Sequence, residues 1–80
     1  MEMGTSEIAR QIAALNKADL TFRLAEWHCQ EAETASEQRR YAMASLRAAM
    51  QRAFIFKLLE KHQITVSRLH GEYVQKEYQL

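Results

Sequence analysis

The side chains best suited to chemistry in this sequence are clustered in WHCQE, residues 27–31. His28, Cys29 and Glu31 are of the types that serve as nucleophile, base or metal ligand. Neighbouring residues on a helix point about 100° apart, however, so His28 and Cys29 do not converge on one metal ion or one substrate atom. We therefore interpret Cys29 as a small apolar residue of a helix interface. The sequence predicts no catalytic residues, no metal site and no cofactor.

The remaining candidates for chemistry are isolated. His62 and His70 have no neighbouring residue with which to act, and we expect both at the surface or at an interface. The sequence contains no glycine-rich phosphate loop, paired-carboxylate motif or nucleophile elbow. Its 80 residues leave little length for a pocket, and a single cysteine cannot form an internal disulfide. We therefore predict a protein that is not an enzyme.

The composition favours helix almost throughout. Proline is absent, and the only glycines are Gly4 and Gly71, near the two ends. The apolar runs are too short and too often interrupted by charge to span a bilayer, and Met1–Thr5 lacks the features of a signal peptide. We therefore expect an all-α, soluble, cytoplasmic domain.

Apolar and small residues recur at alternating spacings of three and four, as in a heptad seam. In the first half of the chain the seam consists of Ile8, Ile12, Leu15, Ala18, Phe22, Ala25, Cys29 and Ala32. In the second half it continues through Met43, Leu46, Met50 and Ala53, and we assign Phe54 to the same core. Large residues alternate with small ones in the first half, which lets two antiparallel helices approach closely. The pattern predicts a coiled-coil-like helical hairpin.

The turn of this hairpin is predicted where the seam fails, at Ser36 and Arg39. Thr34 followed by Glu37 matches the capping box that begins many helices. One continuous helix, in a parallel coiled coil, is the alternative. A second start signal at Asn16 leaves open a break in the first helix, although the seam continues through Asn16 in phase.

The charge also reverses near the predicted turn. Residues 1–38 carry seven acidic and three basic side chains, whereas residues 39–68 carry seven basic side chains and one acidic one. Two segments of opposite charge suit a chain that folds back on itself. We therefore predict a single domain over 1–80, with its elements in the order helix (about 6–33), turn (about 34–37), helix (about 38–62) and C-terminal segment (63–80).

Each half of the chain also has a second apolar stripe that one hairpin interface cannot cover. In the first half it consists of Leu20, Leu24 and Trp27, and in the second of Ile55, Leu59, Val66, Leu69 and Tyr73. The C-terminal segment, a second copy of the chain or a different protein would each supply the cover. The candidate partner-binding residues are Phe54, Ile55, Leu58, Leu59, Val66 and Leu69.

The C-terminal segment is the covering that lies within the chain. The β-branched residues Ile64, Thr65 and Val66 weaken a helix, and Gly71 is suited to ending one. A break near 62–65 would let the rest of the segment return over Ile55 and Leu59 as a short third helix.

One stretch resembles a known family. The run QRRYAMASLRAAMQRAFIF, residues 38–56, resembles the second helix of the small helical-hairpin co-chaperones of type III secretion needle subunits. It shares the Gln-Arg start, the small and apolar residues at helical spacing and the dense apolar end. The resemblance implies a non-enzymatic protein that shields an apolar helix of its partner from aggregation. The extension after Lys61 departs from those minimal hairpins, and no residue roles carry over.

The sequence as a whole favours a protein–protein interaction module. We predict a small chaperone or adaptor that covers an amphipathic helix, bound to another protein or to a second copy of itself. The alternative is a homodimeric helical bundle with a nucleic-acid-binding or regulatory role. In that case the lysine and arginine side chains of the second half would contact the phosphates of the nucleic acid. A net charge of only +1 makes nucleic acid the less favoured partner, and a membrane surface is not expected to be one.

Overall fold

A computed structural model describes residues 3–76 as a hairpin of two long helices followed by a small β-hairpin. The first helix, α1, spans Thr5–Glu31, and the second, α2, spans Ala35–Lys61. The predicted helical hairpin is therefore confirmed. Neither helix has a stretch long and apolar enough to cross a membrane. The last part of the predicted C-terminal segment, 77–80, lies outside the described residues.

The chain reverses at residues 32–34, just before the predicted turn. Thr34 caps α2, because its hydroxyl oxygen accepts a hydrogen bond of 3.1 Å from the backbone N–H of Glu37. This is one of the two bonds that the capping box predicts. At the other start signal, Asn16, α1 continues without a break.

The segment after α2 forms a β-hairpin, so the predicted third helix is wrong. Strand β1 spans Val66–Leu69 and pairs antiparallel with β2, Glu72–Gln75. His70 and Gly71 form a two-residue turn, and both have positive φ (53° and 82°), which a type I′ turn requires. The β-branched residues at 64–66 weaken a helix for the same steric reason that they favour extended backbone.

The largest buried side chains lie at the open end of the helical hairpin, away from its turn. Leu15, Ile55 and Leu59 are between 0 and 4% exposed. Around them pack half-buried residues from both helices, from the C-terminal segment and from the residues before α1: Met3, Ile12, Ala14, Phe56, Ile64, Val66 and Tyr73. The backbone N–H of Ile64 donates to the carbonyl of Leu59 at 2.9 Å, which turns the chain back over this core.

Small residues form the interface nearer the turn. Ala18 and Ala25 of α1 and Ala48 of α2 are buried, and Cys29 is half-buried beside them. Side chains of this size let two helices approach closely. The seam predicted for α1 is therefore confirmed, including the interpretation of Cys29 as an interface residue.

The seam predicted for α2 is wrong. The four large residues assigned to the core are 46 to 69% exposed: Met43, Leu46, Met50 and Phe54. The face turned toward α1 instead carries Ala48, Ile55 and Leu59, with Arg52 half-buried among them. The predicted seam continues the spacing of three and four residues across the turn. A chain reversal does not preserve helical phase, so α2 is rotated by about half a turn from the predicted position.

The burial pattern predicts different costs for truncating two α2 side chains. Leu59→Ala should lower the free energy of unfolding by about 2–5 kcal/mol, because it leaves a cavity in the main core. Met50→Ala should change it by no more than about 0.5 kcal/mol, because Met50 is 64% exposed. Urea denaturation of both variants tests this, and a larger loss for Met50→Ala than for Leu59→Ala would contradict the observed rotation of α2.

Candidate protein-interaction surfaces

Each helix carries a line of exposed apolar side chains on the side directed away from the other helix. The α1 outer stripe consists of Leu20, Leu24 and Trp27, which are 50 to 56% exposed. The α2 outer stripe consists of Met43, Leu46, Met50 and Phe54. At about 100° per residue, each stripe lies about 180° from the buried face of its own helix. The two stripes therefore face in opposite directions.

The α2 outer stripe is surrounded by basic residues. Arg39 precedes it by one helical turn, Lys57 and Lys61 follow it, and Arg47 lies alongside Met50 at a spacing of three. All four bases are exposed, and none of them forms an ion pair within residues 3–76. This side of the molecule is therefore both apolar and positively charged.

The predicted partner-binding residues are divided between surface and core. Phe54 and Leu69 are 69 and 56% exposed, but they lie on different elements. Ile55 and Leu59 are buried against α1 and beneath the C-terminal segment, where Val66 packs on them. Leu58, like Val66, is half-buried. A role in partner binding stays a prediction for this set, and self-coverage accounts for its two buried members.

A buried carboxylate fixes the relative positions of the two helices and β1. Asp19 of α1 is 1% exposed and is surrounded by three guanidinium groups. Its Oδ1 accepts from Arg52 Nη1 of α2 at 2.7 Å. Its Oδ2 accepts from Arg68 Nη2 of β1 at 3.0 Å and lies 3.3 Å from Arg23 Nε on its own helix. We call these four residues the Asp19 junction.

Aromatic rings hold two of these arginines in place. The guanidinium carbon of Arg52 lies 4.3 Å from the centre of the Phe22 ring, and that of Arg68 lies 4.6 Å from the centre of the Tyr73 ring. Arg68 Nη2 also donates to the Tyr73 hydroxyl at 3.2 Å. This hydrogen bond is the main cause that raises the pKa of Arg68 above its ordinary value.

Asn16 attaches the β-hairpin to α1 through a second polar contact. Its side-chain oxygen accepts from the backbone N–H of Tyr73 at 2.6 Å, and its Nδ2 donates to the carbonyl of the same residue at 2.9 Å. The amide thus bonds to β2 as a neighbouring strand would. The sequence pattern offers Asn16 and Asp19 only as the first and fourth residues of a possible helix start, and it predicts no tertiary contact for either. The available signal is two polar residues one helical turn apart, Asn16 and Asp19, on the flank of an apolar seam.

The WHCQE segment forms a contact between the helices near the turn. The His28 ring stacks on Tyr41 of α2, with centroids 5.0 Å apart, and meets the Trp27 ring edge-on at 4.9 Å. Cys29 Sγ lies 3.4 Å from the carbonyl oxygen of Gln38, as a weak donor. Among residues 3–76, no group of three or more histidine, cysteine, aspartate or glutamate side chains is placed to hold a metal ion.

The chain matches no protein-family model, no curated protein and no solved structure. A function must therefore be inferred from the two outer stripes, their charges and the contacts that hold them.

Asp19→Asn tests the structural role of the junction. The change keeps the size of the side chain but removes the charge that three arginines share, so the free energy of unfolding should fall by about 1.5–3 kcal/mol. The control is Glu26→Gln on the same helix, because Glu26 is exposed and forms no ion pair within the described chain. Thermal and urea unfolding at neutral pH measure both variants. Equal losses for the two would show that Asp19 has no special role.

Asn16→Ala should release the β-hairpin without opening the helical hairpin. The loss of two hydrogen bonds worth about 1–2 kcal/mol should make amide hydrogen exchange at Tyr73 about 5–30 times faster. Amides of α2 around Ala48 should keep their protection, because they lie in a different contact. Thr21→Ala is the control, since the Thr21 hydroxyl bonds only to a carbonyl of its own helix, at Lys17. Unchanged exchange at Tyr73 would contradict this role of Asn16.

Proposed function

We propose that this protein is a non-enzymatic interaction module, a small chaperone or adaptor that covers the apolar side of a partner's amphipathic helix. The observation that carries the proposal is the pair of outer stripes. Seven large apolar side chains that are 46 to 69% exposed are arranged in two continuous lines on the helices. Single exposed apolar residues are normal on a protein surface, whereas continuous patches mark binding sites.

The spacing of the stripes supports a helix as the bound element. The α2 outer stripe extends from Met43 to Phe54, which is about 16 Å at 1.5 Å per residue, or three helical turns. Its members recur at intervals of three and four, so they form a ridge that fits the groove between two rows of side chains on another helix. A partner with apolar residues at the same intervals would cover this ridge.

The rest of the fold supports the proposal by holding the stripes in place before a partner arrives. The main core is closed by the C-terminal segment, and the Asp19 junction fixes α2 against α1. Within residues 3–76 the core is therefore already filled without the stripe residues, which stay at the surface. A preformed surface also loses less conformational entropy on binding than a disordered one.

The double change Met50→Ser, Phe54→Ser tests this function. The probe is a fluorescent synthetic helix of about 18 residues, with leucine on one face and glutamine on the other, since five turns exceed the length of the stripe. The wild-type protein should bind it. The serine variant should bind at least about tenfold more weakly, because two apolar anchors are lost, while its helical circular dichroism stays unchanged.

Leu69→Ser is the comparison variant for this experiment, because Leu69 is the other exposed member of the predicted partner-binding set and its response shows whether that part of the set also binds. Leu69 is also exposed, at 56%, but it lies on β1, outside both outer stripes. The Leu69→Ser variant should bind the probe as tightly as the wild-type protein does. The proposed function would be wrong if the wild-type protein were a monomer that bound neither this helix nor peptides of the same design with charged faces.

A further inference from the structure

The charges around the α2 outer stripe restrict which helix it fits. From residue 38 to residue 59 the sequence of α2 contains five basic side chains and no acidic one. Arg52 is directed inward to Asp19, but Arg39, Arg47 and Lys57 remain exposed beside the stripe, as does Lys61 beyond it. A partner that covers the stripe must bring its own flanking residues close to these cations. Acidic residues at those positions would be attracted, and basic ones repelled.

A second copy of the chain fits this surface poorly. Two α2 outer stripes packed about a twofold axis would place the basic residues of one copy against those of the other, which is destabilising. Packing the α2 stripe of one copy on the α1 stripe of the next would avoid this repulsion. Because the two stripes face in opposite directions, however, that contact would not close on itself and would produce open chains of molecules.

A lipid surface is also a weaker match than a protein helix. Helices that lie in a membrane interface place tryptophan, phenylalanine and leucine on the apolar side that enters the lipid, and the α2 stripe has Leu46 and Phe54 but no tryptophan. The only tryptophan, Trp27, belongs to the α1 outer stripe and so lies on the opposite side of the molecule. The α2 stripe contains Met43 and Met50 instead, whose flexible thioether side chains adapt well to the surface of a partner helix.

We propose that the α2 outer stripe binds an acidic amphipathic helix of a partner protein. Apolar residues of that helix pack on Met43, Leu46, Met50 and Phe54. Carboxylates toward one end pair with Arg39, and those toward the other end pair with Lys57 and Lys61. The distance from residue 39 to residue 57 along α2 is about 27 Å, so the bound helix has about 18 residues. This inference rests on the proposed function and names the chemistry of its partner.

Three synthetic helices that share one leucine face test the inference. Their polar faces carry glutamate, glutamine or lysine at the flanking positions, and their affinities are measured by fluorescence anisotropy at about 20 and 300 mM salt, where screening differs strongly. At low salt the glutamate helix should bind at least about tenfold more tightly than the glutamine helix, and the lysine helix should bind most weakly. The advantage of glutamate should shrink at high salt.

Charge reversal locates the binding surface. Lys57→Glu with Lys61→Glu should remove the preference for glutamate and improve binding of the lysine helix. The matched control is Lys17→Glu, since Lys17 is an exposed base of α1. The Lys17→Glu variant should still bind the glutamate helix more tightly than the glutamine helix. Met50→Ser should weaken binding of the glutamate helix at least about tenfold, whereas Leu24→Ser on the α1 stripe should not.

Several outcomes would overturn the inference. Equal binding of the glutamate and glutamine helices would contradict an acidic partner, although it would still agree with the proposed function of binding an amphipathic helix. Loss of binding in Leu24→Ser but not in Met50→Ser would move the site to α1. A dimer by light scattering that Met50→Ser dissociates would assign the stripe to a second copy. Binding to vesicles of phosphatidylserine and phosphatidylcholine that depends on Phe54, with no binding to any of the three helices, would assign it to a membrane.

Discussion

The carboxylate of Asp19 is the group on which the arrangement of the other elements depends. Burying a charge is unfavourable unless partners replace the water that it loses, and here three guanidinium groups do so. They come from α1, α2 and β1, so each element must present its arginine to the same point. For α2 this requires the side of the helix that bears Arg52 to face α1. The Asp19 junction therefore sets the rotation of α2 as well as its position.

The rotation of α2 links the junction to the surface of the protein. Arg52 and Met50 are two residues apart and so point about 160° apart on a helix. With Arg52 directed to Asp19, Met50 must face outward, and Met43, Leu46 and Phe54 lie on the same side. Small residues at the interface, such as Ala18 and Ala48, make this possible because they need no large side chain from α2 to fill the space between the helices. One buried ion pair thus accounts for an exposed apolar stripe.

The sequence was sufficient to predict those features that depend on local chemistry. The α1 seam and the Thr34 cap are properties of short, regular stretches, and both were predicted. The phase of α2 was not, because it depends on a contact between residues 19 and 52, which are 33 positions apart. The β-hairpin had a usable local signal in two short runs on either side of His70 and Gly71. Because the chain is so rich in helix formers, Gly71 is interpreted as the end of a helix, and the turn of the β-hairpin is not predicted.

The candidate site shows a different limit of sequence reasoning. An apolar pattern identifies which side chains need cover, but it does not say whether the same chain or another molecule provides that cover. The sequence pattern places Phe54 in the hairpin core and Ile55 in a second stripe that needs cover, and both are candidate partner-binding residues. In the structure Ile55 is 4% exposed and Phe54 is 69% exposed. What separates them is that residues 63–76 fold back on one side of α2, whereas no described residue covers the other side. The basic residues are then informative, because Arg39, Arg47, Lys57 and Lys61 lie on the bare side of α2 and form no ion pair within residues 3–76.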